Sequence, residues 1–210
     1  MSDPFRVSVL VSGAGTTLQS LIDSVHEPGG SVEIVQVVSS KDGVVAMERA
    51  RRAGITTQVV PMVDGDREER DRRLADAVDA VEPGLVVLAG WMSILTGEFL
   101  NRFVDRVINL HPSMLPAFPG MHAVEEALAW GVRYTGVTVH FAEIEVDGGP
   151  PVLQEPVPVL YGDTAESLRE RIRVVEHRLV PEAVRLFADG RVARDPDDRR
   201  QVIISDRRQP

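Results

Sequence analysis

Short apolar runs alternate with helix-like segments through the first half of this chain, and no other feature restricts its fold as much. Phe5–Val11 (FRVSVLV) reads as a buried strand and residues 15–25 (GTTLQSLIDSV) as a helix. Val32–Ser40 is a second strand, followed by a helix around Val45–Ala53. Residues 56–62 (TTQVVPM) form a third, followed by a long charged helix from about Asp66 to Ala80. Gly84–Gly90 (GLVVLAG) is a fourth strand and residues 106–111 (RVINLH) a fifth. Nearly continuous Val/Ile/Leu strands are buried on both faces, and strand–helix alternation brings them together in parallel.

The second half changes character. Residues 134–143 (YTGVTVHFAE) and 150–159 (PPVLQEPVPV) look extended, with no helix between them and IEVDGGP as the joint. They are expected to pair antiparallel, their prolines suiting a bulge or an edge. A helix then runs from about Thr164 to Ala188, opened by the capping-box-like Thr164-x-x-Ser167 and stopped at Gly190. Pro181 is expected to kink it or divide it in two. The tail carries one strand candidate, Gln201–Ser205, and otherwise looks loosely held. The fold class is therefore α/β: a Rossmann-like, mostly parallel twisted sheet with helices on both faces, the C-terminal part adding antiparallel strands and a long helix. A single domain over residues 1–190 with a tail over 191–210 is expected, without repeats or a linker.

Composition narrows the function. A chain of 210 residues, 43% of them hydrophobic, can bury a full core. A net charge of -9 argues against a nucleic-acid surface, which needs a concentrated basic face. The stretch DREERDRRLADAVDA looks basic but is mixed, the pattern of a solvated helix face. The chain has no cysteine, which removes disulfides, thiolate nucleophiles and Cys-ligated zinc together. No signal-like pattern opens it, and no apolar run matches a bilayer's thickness. The expectation is a soluble cytoplasmic protein with no nucleic-acid or membrane partner.

Ser12-Gly13-Ala14-Gly15-Thr16-Thr17 lies between the first strand and the first helix. Glycines permit a tight turn there, and exposed N–H groups at a helix start favour an anion. A dinucleotide fingerprint fits poorly, since Leu18 takes the place of its third glycine and serines end the second strand. A small phosphate held by backbone amides and the Thr16 and Thr17 hydroxyls is the preferred reading over a merely tight turn.

Asn109 and His111 stand two apart at the end of the fifth strand, so an extended chain points both side chains the same way. Reactive groups in open α/β sheets gather at the carboxyl ends of strands. Gly15, Met92, Asn109 and His111 all follow or end strands there, and Asp147 precedes two glycines in a loop expected at that edge. An aspartate stabilises a nearby imidazolium, and an asparagine amide donates to a developing oxyanion. There is no GxSxG elbow and no HExxH or other helical metal spacing; the histidines at 26, 111, 122, 140 and 177 are dispersed. This combination suits acyl transfer in which the substrate brings its own nucleophile and no metal takes part. A lone histidine in a turn is more often structural, and Asp-Gly-Gly is often only a turn. Spacing alone leaves both readings open.

The stretches NLHPSMLPAFPG and HFAEIEVDGGPPVLQEPVPV resemble the formyltransferases that use 10-formyltetrahydrofolate. Within them the chain is most similar to the phosphoribosylglycinamide (GAR) branch of purine biosynthesis. The similarity runs from VLVSGAGTTLQSLID through LVVLAGWMSILTGEFL to GDTAESLRERIRVVEHRLVPEAV, roughly residues 6–190. The resemblance implies formyl transfer from 10-formyltetrahydrofolate, as co-substrate, to the amine of GAR through a tetrahedral intermediate. It matches Asn109, His111 and Asp147 to the family's catalytic trio, the aspartate orienting the histidine and stabilising its imidazolium. It matches Gly15, Thr16 and Thr17 to the ribose-phosphate cradle and Glu176 to the acid on the ribose hydroxyls, with Asn109 also contacting GAR. Met92, Ser93, Ile94 and Leu95 match one wall of the pterin site, and the loop Glu143, Ile144, Glu145, Val146 and Asp147 the other. The family often carries an arginine where this chain has Ser93; Arg67 matches another arginine on the folate's glutamate tail. A homodimer is compatible with the resemblance.

Three rival functions are weaker. A formyltetrahydrofolate hydrolase activates water with the same trio but usually carries an N-terminal regulatory domain, and this chain begins at its first strand. A methionyl-tRNA formyltransferase needs a C-terminal domain and a basic surface. A non-catalytic phosphometabolite-binding module explains residues 13–17 and leaves the trio without a task.

Overall fold

The computed structural model describes residues 3–61 and 66–206. Its elements run β1 (Phe5–Val11), α1 (Thr16–Ser24), β2 (Val32–Ser39), α2 (Val45–Arg52), β3 (Thr56–Val59), α3 (Arg67–Asp79), β4 (Leu85–Leu88), α4 (Gly97–Leu100), β5 (Val107–His111), α5 (Ala123–Trp130), β6 (Tyr134–Phe141), β7 (Pro151–Pro158), α6 (Ala165–Ala188), β8 (Val192–Arg194) and β9 (Val202–Ile204). Seven strands form one sheet in the order β3-β2-β1-β4-β5-β6-β7, and β8 and β9 form a second. The chain packs as two compact units, Met1–Ile108 and Asn109–Pro210.

In the first unit β1 lies parallel to both β2 and β4, and β2 parallel to β3. The side chains of β1 and β4 are almost wholly buried, from Val7, Val9 and Leu10 to Leu85 and Val87, as continuous apolar runs require, whereas β3 at the edge is half exposed. Asp66 caps α3 by accepting from the Glu68 and Glu69 amides. The reading of α3 as a solvated charged face fails at two positions. Arg70 and Asp71 are 5% and 0% exposed and form an ion pair at 2.6 Å. Charge pattern along a sequence does not show which turn of a helix faces a neighbouring loop. The third strand stops at Val59, and Met62, expected to end it, lies outside the described residues.

In the second unit β6 and β7 pair antiparallel, with a register shift between Val139 and His140. The three prolines of β7 are tolerated because that strand is the sheet's last. Three elements had no counterpart in the sequence reading: the short α4, α5 between β5 and β6, and β8, which pairs with β9. The segment past Gly190 is thus better organised than expected, with Arg191 donating to the Ser205 carbonyl and Arg194 paired with Glu143. Residues 207–210 of that tail lie outside the described residues. Thr164 and Ser167 form a reciprocal capping box at the start of α6, and Gly190 follows its end at positive φ. Pro181 does not divide α6, which runs unbroken from Ala165 to Ala188. Leu179, Val180, Pro181, Ala183 and Val184 are all buried, and that packing offsets the one backbone hydrogen bond the proline removes.

Candidate active site

His111 is the last residue of β5, and a proline-rich loop fixes what its ring can reach. That loop is tied down from β6 and β7. Thr138 Oγ1 donates to the Ser113 carbonyl and accepts from the Leu115 amide, while Gln154 donates to the Leu115 carbonyl. These bonds carry the chain to Phe118, whose carbonyl sits 2.7 Å from His111 Nε2. On the other side of the ring, Nδ1 is 3.2 Å from Asp147 Oδ2. The same carboxylate oxygen accepts from the Gly120 amide at 2.8 Å.

The backbone around Asp147 is unusual. Asp147 has φ 54, a left-handed conformation that asparagine and aspartate tolerate better than most residues. A Cβ at Gly149 would lie 1.8 Å from the Phe141 carbonyl, so no larger residue fits where the loop returns to β6. Burial alone would raise the Asp147 carboxyl. The close approach of His140, the hydrogen bond from the Gly120 amide and the charges of His111 and His140 outweigh it and hold the group below the ordinary carboxylate value. With Asp147 ionised, both neighbours of the His111 ring are acceptors only. Each ring nitrogen of His111 therefore faces an oxygen acceptor.

His140 belongs to this cluster and was not singled out from the sequence. It is buried on β6, its Nδ1 2.9 Å from the Phe141 carbonyl and its Nε2 3.6 Å from Asp147 Oδ1. Two imidazoles thus face one carboxylate. The hint in the sequence was a histidine between Val139 and Phe141 in a strand buried along nearly its whole length. Asn109 is half-buried two residues before His111 on β5, where strand geometry puts both side chains on one face.

In the first unit Gly15 is the N-cap of α1 at φ 68, and no side chain caps that helix start. A Cβ at Gly15 would lie 2.6 Å from Ala46 Cβ, so glycine is required by conformation and by space alike. The N–H groups of Thr16 and Thr17 open the helix, the geometry that suits an anion. Ser12, just before the turn, shares a hydrogen bond with Ser40 and accepts from the Met92 amide, joining the turn to the loop after β4. On that loop Met92 and Ile94 are 66% and 53% exposed, Ser93 is half-buried and Leu95 is buried. Arg67 is exposed at the first position of α3.

The remaining predicted residues are also placed. Glu143, Ile144, Glu145 and Val146 are exposed, with the Glu143 carboxylate taken by Arg194 of β8. Arg194 in turn lies over the Phe141 ring at 4.9 Å. Glu176 is half-buried on α6, and burial pushes its carboxyl up to about 7 against a smaller opposing effect of Arg173.

An imidazole tied down beside a carboxylate, with Asn109 two residues before it on the same strand face, is an arrangement suited to proton transfer and oxyanion stabilisation. Residues 5–184 match the family model described as formyl transferase, and the chain belongs to that family. It is 40% identical to the phosphoribosylglycinamide formyltransferase of Escherichia coli K12, over 89% of each chain. It is 44% identical to the human trifunctional purine biosynthetic protein adenosine-3 over 89% of this chain, and spans only 19% of that relative's length. The crystal structure of glycinamide ribonucleotide transformylase 1 from Symbiobacterium toebii superposes with a TM-score of 0.92 at 43% identity, covering 98% of this chain and 96% of that one. Among the described residues no helix is long and apolar enough to cross a membrane.

Proposed function

We propose that the chain transfers the formyl group of 10-formyltetrahydrofolate to the amine of GAR, giving formyl-GAR and tetrahydrofolate in purine biosynthesis. The observation that carries this reading is His111 held between Asp147 and the Phe118 carbonyl, with an oxygen acceptor at each ring nitrogen. The amine nitrogen attacks the formyl carbon, the C=O pair moves onto oxygen, and a tetrahedral intermediate forms. The His111 imidazolium and the Asn109 amide stabilise that oxyanion. An oxyanion is a stronger acceptor than a neutral carbonyl, so it displaces Phe118 from Nε2–H. Collapse breaks the bond from carbon to N10 as the His111 imidazolium gives N10 a proton, and the neutral ring then takes up the proton lost by the attacking nitrogen. Asp147 keeps the ring oriented throughout and favours its charged form before and after that exchange.

The other residues bind. The Gly15, Thr16 and Thr17 turn takes the ribose phosphate, Glu176 the ribose hydroxyls, and Asn109 contacts GAR as well. Met92, Ser93, Ile94 and Leu95 contact the pterin, as do residues 143–147. Arg67 meets the glutamate tail, the arginine that the family often has at position 93 being replaced by serine. On this reading the enzyme works in the cytoplasm on two small molecules, with no metal, and a homodimer is compatible with it.

The test is tetrahydrofolate formation by the purified chain with and without GAR. Turnover that depends on GAR supports the transferase. Turnover without it identifies a hydrolase, and no turnover in either case identifies a binding module.

A further inference from the structure

The loop after β4 exposes two large apolar side chains, Met92 and Ile94, yet its backbone is locked from beneath by buried polar groups. Arg70 Nη2 donates to the Ile94 carbonyl at 2.8 Å, and Asp71 Oδ2 accepts from the Thr96 amide at 2.6 Å. Arg70 Nε binds Asp71 Oδ1 at 2.6 Å, so one planar ion pair spans both contacts. Ser12 holds the Met92 amide at the loop's other end. Taking two charges out of water is costly, and a buried ion pair adds little stability over apolar packing. Its special property is directional hydrogen bonding, here spent on the backbone of a surface loop. Holding exposed apolar side chains at fixed positions serves a ligand with a flat apolar face more than it serves the fold.

We propose that Arg70 and Asp71 are positioning residues for the folate. They act through the Met92–Leu95 backbone and set the wall against which the pterin stacks. The proposal rests on the reading of this loop as part of the folate site. The ion pair also fixes the loop to α3, whose first residue is Arg67. One rigid connection therefore carries both the pterin wall and the cation assigned to the glutamate tail. Because Arg70 is buried and occupied by Asp71 and Ile94, it does not itself replace the folate-binding arginine absent at Ser93. What it supplies is order in the loop that Ser93 occupies.

Arg70→Lys keeps a cation beside Asp71 but lacks the fork that reaches Ile94 as well. The KM for 10-formyltetrahydrofolate is expected to rise about five- to tenfold, the scale of losing one or two placed hydrogen bonds. The KM for GAR and kcat at saturating folate stay near wild type. Asp71→Asn, which keeps an acceptor for Thr96, is expected to shift the same parameter less. An unchanged folate KM in the folded Arg70→Lys protein, or an equal rise in both KM values, overturns the proposal. Hydrogen exchange of the wild-type protein without ligand supplies a reading that does not depend on the variants folding. The Thr96 amide is expected to exchange as slowly as the amides of α3, and rapid exchange there refutes a pre-locked loop. Failure of the folate reading itself shows differently, as wild-type protein that consumes no formyl-folate.

Discussion

The imidazole of His140 and the carboxylate of Asp147 face each other at 3.6 Å in a buried setting, with His140 Nε2 lacking any hydrogen bond among the described residues. That gap is longer than a hydrogen bond, so a small shift of the Asp147 loop toward β6 closes it. His140 then anchors one carboxylate oxygen while the other stays on His111. His140→Leu is expected to lower kcat on the order of tenfold, the scale of one hydrogen bond to a charged group, with both KM values little changed. Steady-state kinetics on both substrates check this, and unchanged kcat would remove His140 from the machinery.

Gly15 makes the phosphate assignment testable. Gly15→Val forces a branched residue into a left-handed backbone and against Ala46, at a cost of about 1–3 kcal/mol for the backbone strain alone. The KM for GAR is expected to rise at least tenfold while that for the folate moves little. An equal rise in both would mean that the turn supports the fold and nothing more.

The half-buried carboxyl of Glu176 predicts a pH dependence of stability. Its native value is raised from 4.5 to about 7, so the folded protein favours the neutral form. That contribution is fully present below the unfolded value near 4.5 and is lost as pH rises through about 7. The ligand-free protein should lose thermal stability between pH 5 and 8 (roughly, from those two values), and Glu176→Gln should flatten the curve. Asp147 acts in the opposite sense: its value is depressed, so its contribution holds above the ordinary carboxylate value and fades as pH falls through the native one. Melting temperatures across pH for wild type and the two variants Glu176→Gln and Asp147→Asn separate the effects. A Glu176→Gln profile identical to wild type contradicts the Glu176 assignment.

The parallel strands were legible because burial on both faces leaves unbroken Val/Ile/Leu runs, and α6 because Thr164, Ser167 and Gly190 mark its ends chemically. Asn109, His111 and Asp147 could be named from their motifs, and the structure brings His111 and Asp147 to 3.2 Å. His140 was hidden because its approach to Asp147 accompanies a register shift between Val139 and His140, a feature of strand pairing rather than of local pattern. Arg70 and Asp71 were hidden because DREERDRR looks the same whether or not one turn of the helix packs under a loop. The β8 strand is three residues long and half-buried, so only its partner β9 defines it. Helix α5 is eight residues long and follows a proline-rich loop, so its apolar spacing had little length over which to show.

The central claim is that a protonated His111 stabilises the tetrahedral oxyanion and passes a proton to N10. The most direct test is kcat for GAR-dependent formyl transfer in His111→Ala, with folate affinity measured separately by equilibrium binding. The account predicts a fall of about two or more orders of magnitude in kcat, the usual scale for losing an oxyanion donor or general acid, with folate binding nearly unchanged. A folded His111→Ala protein with near-normal kcat would contradict it.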